Sequence, residues 1–366
     1  MNIKSDTVSQ SGYGEQLRHE QASIAEEMVN WQYLVHPQLM KHYGANGREK
    51  SLEDANYHLA QLADAMDAGA PALFASYVGW IKILLGKRGV PTEAVARYLE
   101  MSRTALSERL KGEARSLAVE YLSAGLAELP SLPMDIPTFL VNGAPHVELA
   151  RRYLGLLLKG ERHTASQMIL GSASSGIPVK ELYLHVFQPA QYEVGRLWEI
   201  NEIGIAQEHY CTAATQLIIS QLYPYIFSTE HSAGTLVATC VAGDLHEIGV
   251  RMVADFFEMD GWNTFYLGGN TPSQSVIETV VQRRAWVLGI SAMISFDLSA
   301  VKELIQAVRA HSECQNVKIL VGGWPFLAAP CLWRKLGADG TATNAQEAII
   351  LANQLCMERR PARESA

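Results

Sequence analysis

The chain has 366 residues, of which 48% are hydrophobic, so it is long enough for two or three domains that each bury a core. Its formal net charge of −8 at pH 7 provides no basic surface for nucleic acid. Apolar runs stay shorter than the roughly 18 residues of a transmembrane helix, so no membrane-spanning segment is predicted.

The first residues lack the basic region followed by an apolar region that a secretory signal would have. The chain contains five cysteines and no Cys-x-x-Cys pair: Cys211, Cys240, Cys314, Cys331 and Cys356. Together these features predict free thiols in a reducing cytoplasm.

Residues 1–12 are polar and are expected to form a mobile tail, and residues 13–126 are predicted to form an all-helical N-terminal domain. Apolar residues from Leu17 to Val35 recur at helical spacing and form the stripe of a first helix. Ser51 is predicted to open a second helix, Ala72 a third, and Thr92 to cap a fourth.

Residues 93–106 have the rhythm of a helix-turn-helix, which would be a DNA-binding element. However, the usual glycine of the turn is missing, and Glu108 and Glu113 lie among the basic residues of the second helix. We therefore interpret these helices as part of a bundle, and nucleic acid is not an expected partner.

Residues 127–144 contain Pro130, Pro133 and Pro137, and they are predicted to be a linker. Amphipathic patterns then predict a four-helix bundle over residues 145–229, with helices near 147–158, 161–174, 178–200 and 204–227.

Residues 233–357 are predicted to form an α/β domain, which is followed by a charged tail at 358–366. Buried strands that each precede a helix begin near Thr235, Asn263, Trp286, Val317 and Ala338. Five such units predict a flavodoxin-like parallel sheet with strand order 2-1-3-4-5. In a sheet of this kind, ligands bind at the carboxyl ends of the strands.

The loop after the first strand, residues 241–249, carries Asp244 and His246 to this edge of the sheet. A histidine there can offer one ring nitrogen to a metal, while the nearby aspartate accepts a hydrogen bond from the other nitrogen. Gly249 allows the start of the following helix to approach a bulky group.

Asp244-x-His246-x-x-Gly249 resembles the first signature of the cobalamin-binding domain of methionine synthase, the mutases and related sensors. The second signature of that family, Ser-x-Leu after a strand, is matched by Ser291 and Met293, with methionine in place of leucine. The third signature, Gly-Gly after the next strand, is matched by Gly322 and Gly323.

This resemblance implies a cobalamin site in the sheet domain, with Leu245 and Glu247 also among its contacts. It implies that His246 binds cobalt from below in place of the corrin's own base. The displaced base would then enter the sheet between the Ser291 and Gly322 loops.

A second group of residues lies at a predicted helix hairpin: Trp198 near the end of one helix, and Glu208 and His209 early in the next. A tryptophan followed at this distance by Glu-His resembles the motif of cobalamin photoreceptors that regulate light-dependent genes. The resemblance implies that the bundle lies over the upper face of the corrin. There Trp198 would pack against a 5′-deoxyadenosyl group that Glu208 and His209 help to hold.

One position departs from the photoreceptor pattern. In the light-dependent gene repressors, a histidine follows the tryptophan and takes the cobalt after light breaks the Co–C bond, whereas this chain has Glu199. The ligand of a light state therefore stays open between water, Glu199 and another histidine.

The N-terminal region departs from those repressors too, and it resembles the photocobilins, which hold cobalamin and a bilin close together. Imidazoles, aromatic rings and cations of this region could bind a tetrapyrrole, and His58, Trp80 and Arg88 are the candidate residues for non-covalent biliverdin. Lys82 is a further cation that could meet a propionate. The alternative is a helical domain for oligomerisation or signalling.

The function predicted from these resemblances is that of a cytoplasmic light sensor rather than an enzyme. It would bind adenosylcobalamin and change domain packing or oligomeric state when light breaks the Co–C bond, with a homo-oligomer as the expected assembly. The main alternative is a corrinoid carrier subunit for methyl transfer, which would need a partner methyltransferase. A cobalamin-dependent transcription regulator is a further alternative.

Overall fold

The computed structural model describes residues 12–36, 38–227, 233–293 and 298–357. Residues 1–11 of the predicted tail at 1–12, and the whole predicted tail at 358–366, lie outside these residues. The chain divides into two compact units, residues 1–134 and 135–366, which are described separately.

The described residues of the N-terminal unit form five helices: α1 (Tyr13–Val35), α2 (Gln38–Asp67), α3 (Pro71–Lys87), α4 (Thr92–Arg109) and α5 (Gly112–Glu128). Helix α2 begins well before Ser51, and its backbone breaks at Gly44, where φ is 65° and ψ is −163°. The apolar stripe of α1 is buried from Leu17 to Met28, as its spacing predicts, whereas Trp31 and Val35 at its end are exposed. Helices α4 and α5 also bury apolar faces, which agrees with a bundle.

The end of this unit is held by a buried lysine. The Lys82 ammonium donates to the carbonyls of Leu129 at 2.7 Å and Leu132 at 2.6 Å. Because a buried charge is tolerated only when it is well hydrogen-bonded, these carbonyls explain why Lys82 can be 3% exposed. The Lys82 side chain therefore has a structural role in this unit.

The second unit begins with a helical bundle. Its helices are α6 (Val147–Leu158), α7 (Arg162–Ser174), α8 (Val179–Leu182), α9 (Gln188–Glu199), α10 (Ile205–Gln221) and α11 (Tyr223–Ile226), with a π-helical turn, Tyr183–Phe187, between α8 and α9. Residues 127–144, which were predicted to be a linker, lie before α6, and the second half of this segment is hydrogen-bonded to the bundle. There the Phe139 amide donates to Glu193 at 2.8 Å and Arg151 donates to the Leu140 carbonyl at 2.8 Å.

The rest of this unit is a parallel sheet flanked by helices. Its strands are β1 (Thr235–Cys240), β2 (Asn263–Tyr266), β3 (Val287–Ser291), β4 (Lys318–Gly322) and β5 (Gly340–Thr341), in the order β2-β1-β3-β4-β5. The helices are α12 (Ile248–Met259), α13 (Ser273–Gln282), α14 (Leu298–Ala310), α15 (Trp324–Ala328), α16 (Leu332–Leu336) and α17 (Ala345–Leu355). This confirms the predicted fold class and strand order.

Bundle and sheet share one hydrophobic core, which includes Tyr183 and Phe187 from the π-helical turn and Phe256 and Phe257 from α12. The Tyr183 hydroxyl also donates to the buried Asp255 carboxylate at 2.8 Å. The bundle is thus fixed on the α12 side of the sheet.

Within the described part of the chain, no helix combines the length and the apolar composition needed to cross a membrane.

Candidate functional site

The strand register brings the three sequence motifs to one edge of the sheet. Cys240 at the end of β1 pairs with Ser291 at the end of β3, and Ser291 pairs with Gly322 at the end of β4. The loops that follow these residues therefore start side by side. This is the edge at which open α/β sheets bind ligands.

The loop after β1, residues 241–247, is called here the histidine loop. The His246 ring places Nδ1 2.8 Å from an Asp244 carboxylate oxygen, and the His246 amide donates to the same oxygen at 2.8 Å. Asp244 is 1% exposed, whereas the His246 side chain is 58% exposed. Since Asp244 occupies Nδ1, Nε2 is the nitrogen that would bind a metal.

The second Asp244 oxygen accepts from the Met293 amide at 2.9 Å, so this carboxylate also joins the histidine loop to the loop after β3. Burial by itself would raise the pKa of Asp244. The hydrogen bonds from the His246 ring, the His246 amide and the Met293 amide outweigh burial and hold this pKa below its usual value. The carboxylate is therefore ionised at neutral pH and favours the imidazole tautomer with hydrogen on Nδ1.

A third loop, Gly268–Asn270 after β2, supports the histidine loop from the other side. The Asn270 side chain accepts from the Gly243 amide at 2.8 Å, and the Asn270 amide donates to the Asp244 carbonyl at 2.8 Å. Sequence reasoning missed this loop because it carries no metal-ligating or acid–base side chain. Its Gly-Gly-Asn composition at the end of a strand was the available signal.

The glycines of the motifs divide into two kinds. A Cβ at Gly323, where φ is 109°, would lie 1.9 Å from the Ala292 carbonyl oxygen, so the protein's own packing requires glycine there. A Cβ at Gly249 or Gly322 would meet no heavy atom within 4 Å. Close approach of a large ligand would explain glycine at these two positions, and this open space fits a corrin.

Three exposed apolar side chains stand at the same edge and are called here the apolar rim: Leu245, Met293 and Trp324. They follow β1, β3 and β4, respectively. Trp324 directly follows Gly323 and was not singled out from the sequence. Apolar groups of this size next to a polar histidine are typical of the lining of a cofactor site.

The bundle hairpin contains the other predicted site residues. Trp198 lies in the last turn of α9, and Glu208 and His209 lie in the first turns of α10. Glu208 accepts from Thr212 at 3.0 Å and lies 3.4 Å from the His209 ring, whose side chain is 70% exposed. Glu199 is the last residue of α9.

One face of α10 connects this hairpin to the histidine loop. Glu208, Thr212 and Gln216 follow each other at intervals of four residues, and the Gln216 amide donates to Glu247 at 2.9 Å. At 1.5 Å of rise per residue, Glu208 lies about 12 Å along the helix from that contact. The hairpin thus lies about two helical turns along α10 from the contact with the histidine loop.

In the N-terminal unit, the structure brings His58 and Trp80 into one aromatic group. The centroid of the His58 ring lies 5.1 to 5.6 Å from those of Phe74, Tyr77 and Tyr98, and the Trp80 ring packs against Tyr77 at a tilt, with centroids 5.9 Å apart. Arg88 is placed elsewhere, at the exposed end of α3, where it donates to the Leu84 carbonyl at 3.0 Å.

His58 is 1% exposed, and neither of its ring nitrogens has a hydrogen-bond partner. The hydroxyl of Tyr98 is also buried without a partner. Burial lowers the pKa of His58 to about 3, so the ring is neutral. Buried polar groups without partners are rare and costly, so His58 and Tyr98 are the groups of this cluster that could hydrogen-bond a ligand.

Comparison with known proteins identifies the sheet and the bundle. Two family models, each described as a B12 binding domain, match residues 234–350 and residues 149–223. The dimethylamine corrinoid protein 3 of Methanosarcina mazei is 30% identical over 129 residues, which are 35% of this chain and 75% of that protein. The chain belongs to the B12-binding family.

The similarity of this B12-binding protein to the dimethylamine corrinoid protein 3 of Methanosarcina acetivorans extends over 187 residues at 27% identity, 50% of this chain and 86% of that protein. The monomethylamine corrinoid protein of Methanosarcina barkeri has a similar fold, with a TM-score of 0.52 at 22% identity over 57% of this chain and 99% of that chain. Cobalamin binding, predicted from the three motifs, is confirmed by the family. Helices α1 to α5 lie outside both matched ranges.

Proposed function

We propose that this protein holds cobalamin at the carboxyl edge of its sheet, with His246 as the lower axial ligand of cobalt. The observation that carries the proposal is the Asp244–His246 pair, in which a buried carboxylate orients an exposed imidazole. Among the described residues, no group of three or more His, Cys, Asp or Glu side chains is placed to hold a metal ion. A corrin needs no such group, because its ring nitrogens leave only the axial positions of cobalt to the protein.

The bound cofactor supplies a reactive cobalt–carbon bond, and the protein supplies binding, orientation and cover. Asp244 keeps His246 in one tautomer, Gly249 and Gly322 would leave room for the cofactor, and the bundle would cover it. In this proposal the protein is a carrier or a sensor and not itself a catalyst.

Carriage of a methyl group, with a methyltransferase as partner, is the use that the relatives favour, since those described above are named as dimethylamine and monomethylamine corrinoid proteins. Carriage requires that the bundle move away from the upper face of the corrin to admit a partner. The hydrogen bond between Gln216 and Glu247 and the contacts of Arg251 with α10 would have to open in this step.

Light sensing with adenosylcobalamin is the second candidate, and the hairpin favours it. An indole ring in α9 and a carboxylate–imidazole pair in α10 are suited to an adenosyl group, through stacking and hydrogen bonds to its sugar and base. A methyl group would use neither. In this case loss of the upper ligand would repack the bundle on the sheet and change a homo-oligomer.

A bilin in the N-terminal unit belongs to this second candidate. The unpartnered nitrogens of His58 and the hydroxyl of Tyr98, surrounded by aromatic rings, offer hydrogen bonds and stacking to a planar tetrapyrrole such as biliverdin. Arg88 lies eleven residues from Tyr77, about 16 Å along the helix axis, so it would meet a different part of the same ligand than His58 does.

The deciding experiment compares methylcobalamin and adenosylcobalamin bound to the purified protein in the dark and after green light. Methyl carriage predicts similar affinity for both cofactors and no lasting change in sedimentation after illumination. Light sensing predicts preference for adenosylcobalamin and an altered sedimentation coefficient after illumination. An added red or far-red band on mixing with biliverdin would support the bilin.

Trp198→Ala tests the hairpin in the same assay. If an adenosyl group packs on this indole, the variant should lose about 10-fold to 100-fold in affinity for adenosylcobalamin, as expected from the loss of one stacked base, and little for methylcobalamin. Trp333→Ala, outside the site, is the control. Equal losses for both cofactors would count against light sensing and in favour of methyl carriage.

A further inference from the structure

Glu247 directly follows His246, the proposed cobalt ligand, and its carboxylate accepts hydrogen bonds from other parts of the protein. One oxygen accepts from the Gln216 side chain of the bundle at 2.9 Å. The other accepts from the Gly269 amide in the loop after β2 at 2.8 Å. The Tyr266 hydroxyl of β2 also donates to this carboxylate, and burial together with the charge of Glu247 raises the pKa of the phenol.

These partners come from three different elements, and all of them are neutral donors. Glu247 is half-buried, and its backbone joins His246 to the first turn of α12. If the Glu247 carboxylate shifts, the backbone next to His246 is therefore expected to shift with it. The contacts with Tyr266 and Gly269 hold this carboxylate in place, so it has little freedom to follow a movement of α10.

Arg251, one turn further along α12, holds the same part of α10. It donates to the Gln216 carbonyl at 3.2 Å, to the Ser220 hydroxyl at 2.7 Å and to the Tyr223 hydroxyl at 3.2 Å. Gln216 is thus held twice, by its side chain through Glu247 and by its backbone through Arg251. Movement of the bundle away from the sheet has to break both contacts.

We infer that Glu247 is a positioning residue that couples docking of the bundle, through Gln216, to the geometry of His246. The inference rests on the proposed role of His246 and concerns how that role is regulated. With the bundle docked, Glu247 keeps the histidine loop in the conformation that binds cobalt. When the bundle departs, the loop loses one of its restraints and His246 binds cobalt less tightly. The coupling is reciprocal, so a bound cobalt also favours docking.

An exchange of the two side chains tests the coupling. Gln216→Glu places two carboxylates against each other and should open the contact. The double variant Gln216→Glu with Glu247→Gln restores one hydrogen bond in the reverse direction. Gln274 and Glu278 on α13 form a pair of the same residue types at 3.0 Å on an exposed surface, and the same exchange there is the matched control.

Two measurements are made on the full chain. Hydrogen exchange without cofactor reports the protection of residues 244–251, and a titration with hydroxocobalamin reports affinity and histidine ligation from the visible spectrum. We expect Gln216→Glu to reduce the protection of this segment and to weaken hydroxocobalamin binding about tenfold, a loss typical of residues that support a metal ligand. The double variant should recover most of both losses, and the α13 variants should show neither.

The inference is overturned if Gln216→Glu loosens α10 while the protection of residues 244–251 and the affinity stay unchanged, or if the double variant recovers neither. Should Gln216→Glu fail to fold, Gln216→Ala, which only removes the donor, is measured instead. His246→Ala separates this failure from that of the proposed function. A histidine-ligated spectrum that survives in His246→Ala refutes the ligand assignment, and the inference with it. If the histidine-ligated spectrum is lost in His246→Ala but Gln216→Glu has no effect, only the coupling is refuted, and the ligand assignment stands.

Discussion

The His246 imidazole owes its orientation to one carboxylate, and this arrangement determines what each residue should contribute to binding. His246→Ala should abolish histidine ligation of cobalt, because the nitrogen donor is gone. Asp244→Asn should weaken cobalamin binding about tenfold, since an amide can still accept from the Met293 amide but no longer stabilises the Nδ1 hydrogen by charge.

Equilibrium titration of both variants with hydroxocobalamin, followed by visible spectroscopy, checks this prediction. His163→Ala, an exposed histidine on α7, is the control and should bind as the unmodified protein does. Unchanged affinity and spectrum in His246→Ala would refute the assignment of the axial ligand.

Helix α12 connects the cofactor edge of the sheet with the bundle, and its buried Asp255 makes that connection depend on pH. Burial raises the pKa of Asp255 to about 6, against hydrogen bonds from Tyr183 and Tyr223 and the attraction of Arg251 that lower it, while Glu258 on the same helix raises it further. The folded protein therefore takes up a proton below pH 6 that the unfolded chain takes up only near pH 4. Stability from this group rises as pH falls from 7 to 4 and is lost as pH rises through 6.

Asp255→Asn should remove this dependence, because an amide is neutral at every pH and can still accept from the Tyr183 hydroxyl. Relative to the unmodified protein, the variant should gain about 1–3 kcal/mol above pH 7 and nothing near pH 4. Hydrogen exchange of residues 179–187 and 250–258 at pH 7.5 and 4.5 measures the difference, with Glu278→Gln as the control. A gain that is the same at both pH values would contradict this account.

For the whole molecule, the sequence predicted the parts whose chemistry is local. Asp244, His246 and the glycine pair directly follow apolar strands, so their position at one edge follows from the parallel order of the sheet. The contacts that depend on distant parts of the chain could not be predicted, because they follow from packing. Examples are the hydrogen bond of Gln216 to Glu247, 31 residues apart, and that of Lys82 to Leu129, 47 residues apart. His58 was recognised by type, but its lack of partners is visible only when the helices are packed.

The His58 cluster should make the N-terminal unit less stable in acid. The folded pKa of about 3 lies below the ordinary value of 6.5, so stability is present above pH 6.5 and is lost as pH falls toward 3. His58→Phe, which keeps an aromatic ring and removes the unpartnered nitrogens, should gain about 2–3 kcal/mol over the unmodified protein between pH 7 and pH 4.5. Hydrogen exchange of residues 55–66 measures it, with His163→Phe as the control. A gain independent of pH would refute the neutral buried imidazole.

The apolar rim has a consequence for the protein before it meets its cofactor. Leu245, on the histidine loop, is 74% exposed, and Trp324, at the start of α15, is 49% exposed, both at the mouth of the site. Clustered apolar groups in water favour association with other apolar surfaces, so the cofactor-free protein should self-associate more readily than the loaded protein. We expect the empty protein to enhance the fluorescence of an anilinonaphthalene dye and to aggregate faster at a given concentration than the cobalamin-loaded protein. Trp324→Gln should reduce both effects. Cofactor loading would then protect the protein from aggregation, since only the cobalamin-loaded protein would stay in solution at high concentration.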